Sequence, residues 1–214
     1  MTDDKKIMTD GIIFDVDGTV WDSTPIVEQA WNRALEESGY SVRVTADRLK
    51  GLFGLPMDDI IADLLPEASP EERTKFAPLS YKYEHEYLSE NGGVVYEGFG
   101  EMLRKLYDAG FDLYVVSNCQ AGYIELMLEK TGFGRYIKDH VCFGDNGLFK
   151  AENINLICER NEIKKPIYVG DTQMDADACI KAGVPIVFAS YGFGRVADPD
   201  YVIDKPADLV GLFV

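Results

Sequence analysis

The order in which hydropathy patterns follow one another predicts an α/β fold: a doubly wound parallel sheet interrupted by an all-helical insertion. Three observations carry this. A short apolar run, Gly11-Ile12-Ile13-Phe14, bounded by turn chemistry, has the pattern of a buried parallel strand. From residue 22 to residue 90 apolar residues recur at helical spacing, with no strand signal worth naming. After Asn91-Gly92-Gly93, helices and short β-rich runs alternate, which predicts a parallel sheet with helices on both faces. A lone strand has no sheet to join inside a helical segment, so the first strand belongs with the later ones. The expected organisation is a Rossmann-like core of residues 1–20 and 91–214, with an inserted helical cap domain at 21–90.

Taken in order, Ser23-Thr24-Pro25 has helix-start chemistry, a cap-type residue followed by an early proline. Ile26, Val27, Ala30, Trp31, Ala34 and Leu35 follow at helical spacing, and Gly39 stops the run. Shorter helical patterns at 45–53 and 56–65 are joined through the loop Gly51-Leu52-Phe53-Gly54-Leu55-Pro56. Ser69-Pro70-Glu71-Glu72 opens another helix, which Pro78 is expected to break or kink. Beyond residue 91 the patterns predict helices at 98–110, 121–131, 151–161 and 173–182. Strands are predicted at 111–116, 140–143, 166–169, 185–189 and 201–203. No internal repeat or low-complexity segment interrupts this order.

Composition sets the class of partner. The chain has 214 residues, 46% of them apolar and 12% aromatic, as a folded globular protein requires. Its formal net charge of −16 argues against nucleic acid or an anionic membrane surface, since both call for a basic footprint. Met1 to Asp10 is polar, unlike a secretory signal, and no apolar run reaches the roughly 18 residues of a membrane span. Cys119, Cys142, Cys158 and Cys179 form no CxxC pair and read as small hydrophobes in a reducing cytoplasm. His85 and His140 lack a local acid or serine partner and read as structural.

The chemistry gathers where strands are predicted to end. Acids are poor strand formers, so Asp15 and Asp17 at the end of the first strand need a reason. A lone Asp-Gly is most simply a strand-closing turn. The full DVDGT spacing at 15–19 says more, because residues two apart on a strand start from the same face. Two close carboxylates then share a counter-charge or a proton, and a divalent cation is the simplest solution. The working expectation is metal-assisted phosphoryl transfer with Asp15 as nucleophile. In an open parallel sheet ligands collect at the carboxyl ends of the strands, so other strand ends should carry matching groups. Ser117-Asn118 ends one such run with donors for a phosphoryl oxygen, although the pair is also common turn chemistry. Asp171 and Asp175 follow another, four residues apart on a starting helix. An N-cap explains one of them but not both beside a second acidic strand end. With Asp15 and Asp17 they make an oxygen-rich site suited to Mg²⁺. Lys150, at a strand-to-helix junction, supplies positive charge that such a site needs.

Together these motifs resemble the haloacid dehalogenase-like hydrolase superfamily, in particular its phosphoglycolate-phosphatase-like branch with a helical cap. The likeness spans nearly the whole chain in the correct order: DVDGT at 15–19, Ser117, Lys150 and GDTQMD at 170–175. Tyr191-Gly192-Phe193-Gly194 also looks like a stretch of that branch, or plainly like a flexible loop. One departure is Ala151, where many relatives have Pro. The resemblance implies a Mg²⁺-dependent phosphatase acting on a small phosphorylated metabolite. Asp15 would form an aspartyl-phosphate, and Asp17 would serve as acid and then base. Asp15, Asp171, the Asp17 carbonyl and Asp175 would serve the metal, Asp175 directly, through water or by bracing Lys150. Thr19, Ser117, Asn118 and Lys150 would hold phosphate, with Thr19 and Gly18 also shaping the turn that aims Asp17. The insertion would close over the site, with Arg48, Gly54, Leu55 and Pro56 as candidate substrate contacts and Lys50 as a further anion contact. Two other readings compete. A phosphomutase relative would tend to carry Glu-Asp at Gly170-Asp171. A non-catalytic phosphoacceptor module would have no helical insertion after its first strand.

Overall fold

A computed structural model describes residues 6–214. β1 (Gly11–Phe14) is followed by a two-residue strand β2 (Trp21–Asp22) and four helices: α1 (Thr24–Glu37), α2 (Ala46–Lys50), α3 (Met57–Leu64) and α4 (Pro70–Asn91). After β3 (Val94–Val95) come α5 (Phe99–Asp108), β4 (Leu113–Ser117), α6 (Tyr123–Thr131), β5 (Ile137–Cys142), α7 (Phe143–Asn146) and α8 (Lys150–Arg160). The chain ends with β6 (Pro166–Gly170), α9 (Gln173–Ala182), β7 (Ile186–Ala189), β8 (Tyr201–Ile203) and α10 (Asp208–Phe213).

Six strands pair in the order β5-β4-β1-β6-β7-β8, all parallel. β1 lies inside the sheet, between β4 and β6, and the chain winds outward from it in both directions. Such a reversal of strand order opens a crevice at the carboxyl ends of the strands. Alternate residues of the central strands enter two separate cores, as a two-residue period demands of a sheet covered on both faces. Ile12 and Phe14 join Trp31, Leu88, Phe99 and Leu209 on one side. Ile13, Tyr114 and Tyr168 join Ile154, Ile157 and Cys179 of the α8/α9 layer on the other.

The expected α/β class and strand order along the chain therefore hold, with boundary shifts of a few residues. Other features differ. The segment read as purely helical begins with β2, which pairs antiparallel with β3 where the chain returns to the sheet. Two residues are too few to leave a pattern in the sequence. Gly93 lets that return pass closely: a Cβ there would lie 2.6 Å from the Trp21 ring. Pro78 does not break α4, which runs on from Pro70 to Asn91. Its start is secured by a Ser69/Glu72 capping box, and Phe76, Ser80, Glu84 and Leu88 are buried on either side of the proline. Packing of this face, with Phe76 and Leu88 fully buried, outweighs a local propensity cost here. The helix expected over 45–53 is confined to Ala46–Lys50, capped by Thr45 and followed by turns. The four-residue α7 and the C-terminal α10, which buries Leu209 and Phe213, are additions to the predicted elements.

Candidate active site

Asp15 leaves the end of β1 with its N–H still donating to Val169 of β6, at 2.9 Å, so the sheet ladder itself sets its position. Its carboxylate is buried and accepts from the Nζ of Lys150 at 2.9 Å. Lys150 is the first residue of α8 and is only 3% exposed; its Nζ also donates to Asp175 at 2.5 Å. The other oxygen of Asp175 accepts from the N–H groups of Asp171 and Thr172, at 3.2 and 2.9 Å, and from the Thr172 hydroxyl at 2.7 Å. Thr172 is the N-cap of α9 and Asp175 its capping-box partner. One residue thus starts a helix with one oxygen and braces a lysine with the other.

Asp171, fully buried, accepts from the N–H of Phe193 at 2.7 Å and from the Thr19 hydroxyl at 3.4 Å. The turn after β1 comes so close that a Cβ at Gly18, whose φ is +83°, would lie 2.1 Å from an Asp171 oxygen. Glycine is required there on both counts. Gly192 is pressed equally hard, with a Cβ position 2.3 Å from the Asp171 Cβ. The Tyr191–Gly194 stretch is therefore a wall of the site, and the Tyr191 hydroxyl donates to the Thr19 carbonyl at 3.1 Å.

One carboxylate oxygen from each of Asp15, Asp171 and Asp175 lies within 4.8 Å of the others, all three residues being buried. Three acids face one lysine. Burial holds Asp15 above the usual carboxylate range despite Lys150, and burial plus the charges of Asp175 and Asp15 push Asp171 well up. Burial works against the charge on Lys150, but Asp15 and Asp175 outweigh it and keep the ammonium protonated.

Asp17 is held separately. One of its oxygens accepts from Ser23 Oγ at 2.5 Å, the Tyr123 hydroxyl at 2.8 Å and Trp21 Nε1 at 3.2 Å. Desolvation pushes it up to about 7, against the opposing effect of the Ser23 and Tyr123 donors. A carboxyl poised near neutrality can give and take a proton, as a general acid–base group must. Asp15, Asp17, Ser117 and Asn118 line one cavity of about 400 Å³, closed on its far side by residues of α1, α3, α4 and the loop before α3.

The structure brings together most of the residues expected from sequence and places others apart from the cluster or the cavity. The Asp17 side chain stands outside the carboxylate cluster of Asp15, Asp171 and Asp175, held by Ser23 and Tyr123, which leaves its carbonyl as the group expected to serve the metal. Thr19 is fully buried with its hydroxyl spent on Asp171, so it braces the cluster and does not line the cavity. Arg48 is drawn away by Asp63, to which it donates at 2.7 Å on the surface. Gly54 and Leu55 do line the cavity, and the Gly54 carbonyl accepts from Asn118 at 2.9 Å, whereas Pro56 is the N-cap position of α3 and lies outside the lining. Lys50 pairs with Asp22 at 3.0 Å. Ser23, Tyr123 and Trp21 around Asp17 escaped the sequence reading, as did buried Glu84 on α4. Ser23 shows the ambiguity: it stands at the N-cap of α1 but makes no capping hydrogen bond, its hydroxyl having gone to Asp17. Tyr123 lies 106 residues from its partner and left no local signal.

Known proteins resemble this chain over most of its length. The family model of the haloacid dehalogenase-like hydrolases matches residues 12–189. A phosphoglycolate phosphatase of Agrobacterium fabrum is 31% identical, over 92% of this chain and 89% of its own. One of Vibrio cholerae is 29% identical, over 93% and 94%. The crystal structure of a predicted phosphoglycolate phosphatase from Haemophilus somnus superposes with a TM-score of 0.85 at 22% identity, covering 94% of this chain and 96% of that one. The protein is an enzyme of the haloacid dehalogenase-like hydrolase family.

Proposed function

We propose that the protein is a Mg²⁺-dependent phosphatase that hydrolyses a small phosphate monoester through an aspartyl-phosphate on Asp15. The observation that carries this reading is the buried Asp15–Lys150–Asp175–Asp171 cluster, set beside a cavity into which Asp17 also faces. The phosphoglycolate phosphatases among its relatives support the reaction class.

The cluster fits a hard divalent cation on its own chemistry. Its donors are all carboxylate oxygens, they converge within 4.8 Å, and one lysine leaves negative charge uncompensated in a buried place. Asp15 and Asp171 would hold Mg²⁺, with the Asp17 carbonyl completing the protein's share and Asp175 bracing Lys150. When bound, the ion would offset charge on the cluster and on the transferring phosphoryl group.

The chain's own residues would then act as follows. The free oxygen of Asp15 attacks phosphorus; a new O–P bond forms as the ester O–P bond breaks. Asp17 gives its proton to the departing alkoxide, leaving as the alcohol. Water enters, Asp17 takes a proton from it, and the resulting hydroxide attacks phosphorus, returning the Asp15 carboxylate and inorganic phosphate. Ser117, Asn118 and Lys150 hold phosphoryl oxygens, and fixed donors stabilise the charge they develop. The insertion at 21–90 acts as a cap over the core of 1–20 and 91–214, excluding water and choosing the leaving group. The Asn118–Gly54 hydrogen bond across the cavity supports this division. The four free thiols and the absence, among described residues, of a helix able to cross a membrane are compatible with a cytoplasmic setting.

With phenyl phosphate as probe, the purified protein is expected to release phosphate in Mg²⁺ and to stop in EDTA. Asp15→Asn should lower kcat by about a thousandfold or more, as loss of a covalent nucleophile does. Equal rates for Asp15→Asn and wild type across a panel of phosphate esters would defeat the proposal.

A further inference from the structure

The leaving-group end of the cavity is unlike its phosphoryl end. Its walls are Trp31, Phe53, Leu55, Met57, Ile60 and Tyr81, and no Lys, Arg or His stands among its described lining residues. Lys150 is not among them and is already held by two aspartates. Among these rings sits one carboxylate, Glu84 of α4, 4% exposed. One of its oxygens accepts from Trp31 Nε1 at 2.6 Å and the other from Gln120 Nε2 at 2.8 Å.

These neutral donors orient Glu84 from both sides but supply no counter-charge, and Glu84 makes no ion pair among the described residues. A buried carboxylate without a cation is costly, and burial pushes this one up to about 7. Of the donors in the lining, three that flank the acids are committed and the Tyr81 and Ser117 hydroxyls are neutral. The Trp31 indole and the Gln120 amide serve Glu84, while the Tyr123 hydroxyl serves Asp17. The cavity supplies no cationic donor and keeps acceptor capacity free, including the Oδ1 of Asn118, which is buried and has no partner. Aromatic faces beside a carboxylate form an environment that receives an ammonium group. A carboxylate on the leaving group, as in glycolate, would instead meet the Glu84 carboxylate with like charge.

We infer that Glu84 is a specificity-determining residue and that the enzyme prefers phosphate esters of amino alcohols, whose ammonium group pairs with Glu84 between Trp31, Phe53 and Tyr81, over esters whose leaving group is an anion. This rests on the phosphatase reading above and names the substrate class for the same site. The ester oxygen meets Asp17 at the core side of the cavity, and the ammonium end reaches toward α4.

The test compares kcat/KM in Mg²⁺ for phosphoethanolamine, glycerol phosphate and phosphoglycolate, with phenyl phosphate as the charge-free reference. Wild type is expected to favour phosphoethanolamine over phosphoglycolate by about tenfold or more, with glycerol phosphate between them. Glu84→Gln should reduce that ratio by about tenfold. As a measurement that needs no variant, ethanolamine should inhibit wild-type phenyl phosphate turnover more strongly than glycolate does. Preference for phosphoglycolate, inhibition by glycolate but not ethanolamine, or an unchanged ratio in folded Glu84→Gln would overturn the inference while leaving the phosphatase reading standing. Absence of Asp15-dependent phenyl phosphate turnover would overturn both.

Discussion

The two ends of the cavity hold buried acids in contrasting ways. At the strand ends Asp15, Asp171 and Asp175 are supported by a lysine, by backbone N–H groups and by a helix cap. Their support comes from main chain that the sheet and α9 already fix. On the opposite wall Glu84 has only side-chain donors, from α1 and from the loop after β4. On the proposed function, the first arrangement is a permanent charge site that would bind the phosphoryl group the same way for any ester. The second joins the insertion to the sheet and presents an acid whose balance depends on what enters the cavity. On that proposal, reaction type and substrate choice would be carried by different secondary-structure elements.

The contrast can be broken most sharply at Lys150. Lys150→Ala leaves Asp15 and Asp175 without their shared cation, and loss of one partner from a buried ion pair costs about 3–5 kcal/mol. Urea unfolding without metal should show that loss, and Mg²⁺ should recover part of it if the cluster binds the ion. A change under 1 kcal/mol would mean that the lysine does not hold the site together.

Glu84 should respond to pH instead. Its folded value of about 7 lies above the ordinary 4.5, so the folded state keeps a proton that the unfolded chain releases. That contribution to stability is fully present below about 4.5 and is lost as pH rises through about 7. The stability of wild type relative to Glu84→Gln should therefore fall by about 2–4 kcal/mol between pH 4.5 and pH 8, measured by denaturant unfolding of both. A constant difference would show that Glu84 does not titrate within the fold.

Smaller effects separate local from long-range roles. Ser23→Ala removes a donor to Asp17 but no helix cap, so kcat/KM should fall by about tenfold while helix content by circular dichroism stays unchanged. A frayed α1 with full activity would reverse that assignment. Arg48→Ala breaks a surface pair with Asp63 away from the cavity and should change stability by less than about 1 kcal/mol, with turnover unaltered.

Much of the fold and of the strand-end cluster could be read from the chain alone. The run ending at Asp15, the GDTQMD segment and the helix start at Lys150 all announce themselves through local periodicity and turn chemistry, which depend on neighbours in sequence. The rule that ligands gather at strand ends was enough to assemble them. The partners of Thr19 and Arg48 were not legible, because residue type and proximity in sequence say nothing of which acid takes the donor; Asp171 and Asp63 do. β2 and β3 were too short to show a period.

By itself, then, the sequence determined the α/β class, the run of helices between the first strand and the rest, and the acids and lysine at the strand ends. These are encoded by short-range spacing. Only the tertiary structure decided which donors hold Asp17, why Gly192 must be glycine, and that Glu84 faces the reacting end from α4. Each of those contacts joins residues far apart in the chain, through packing of whole elements that no local pattern records.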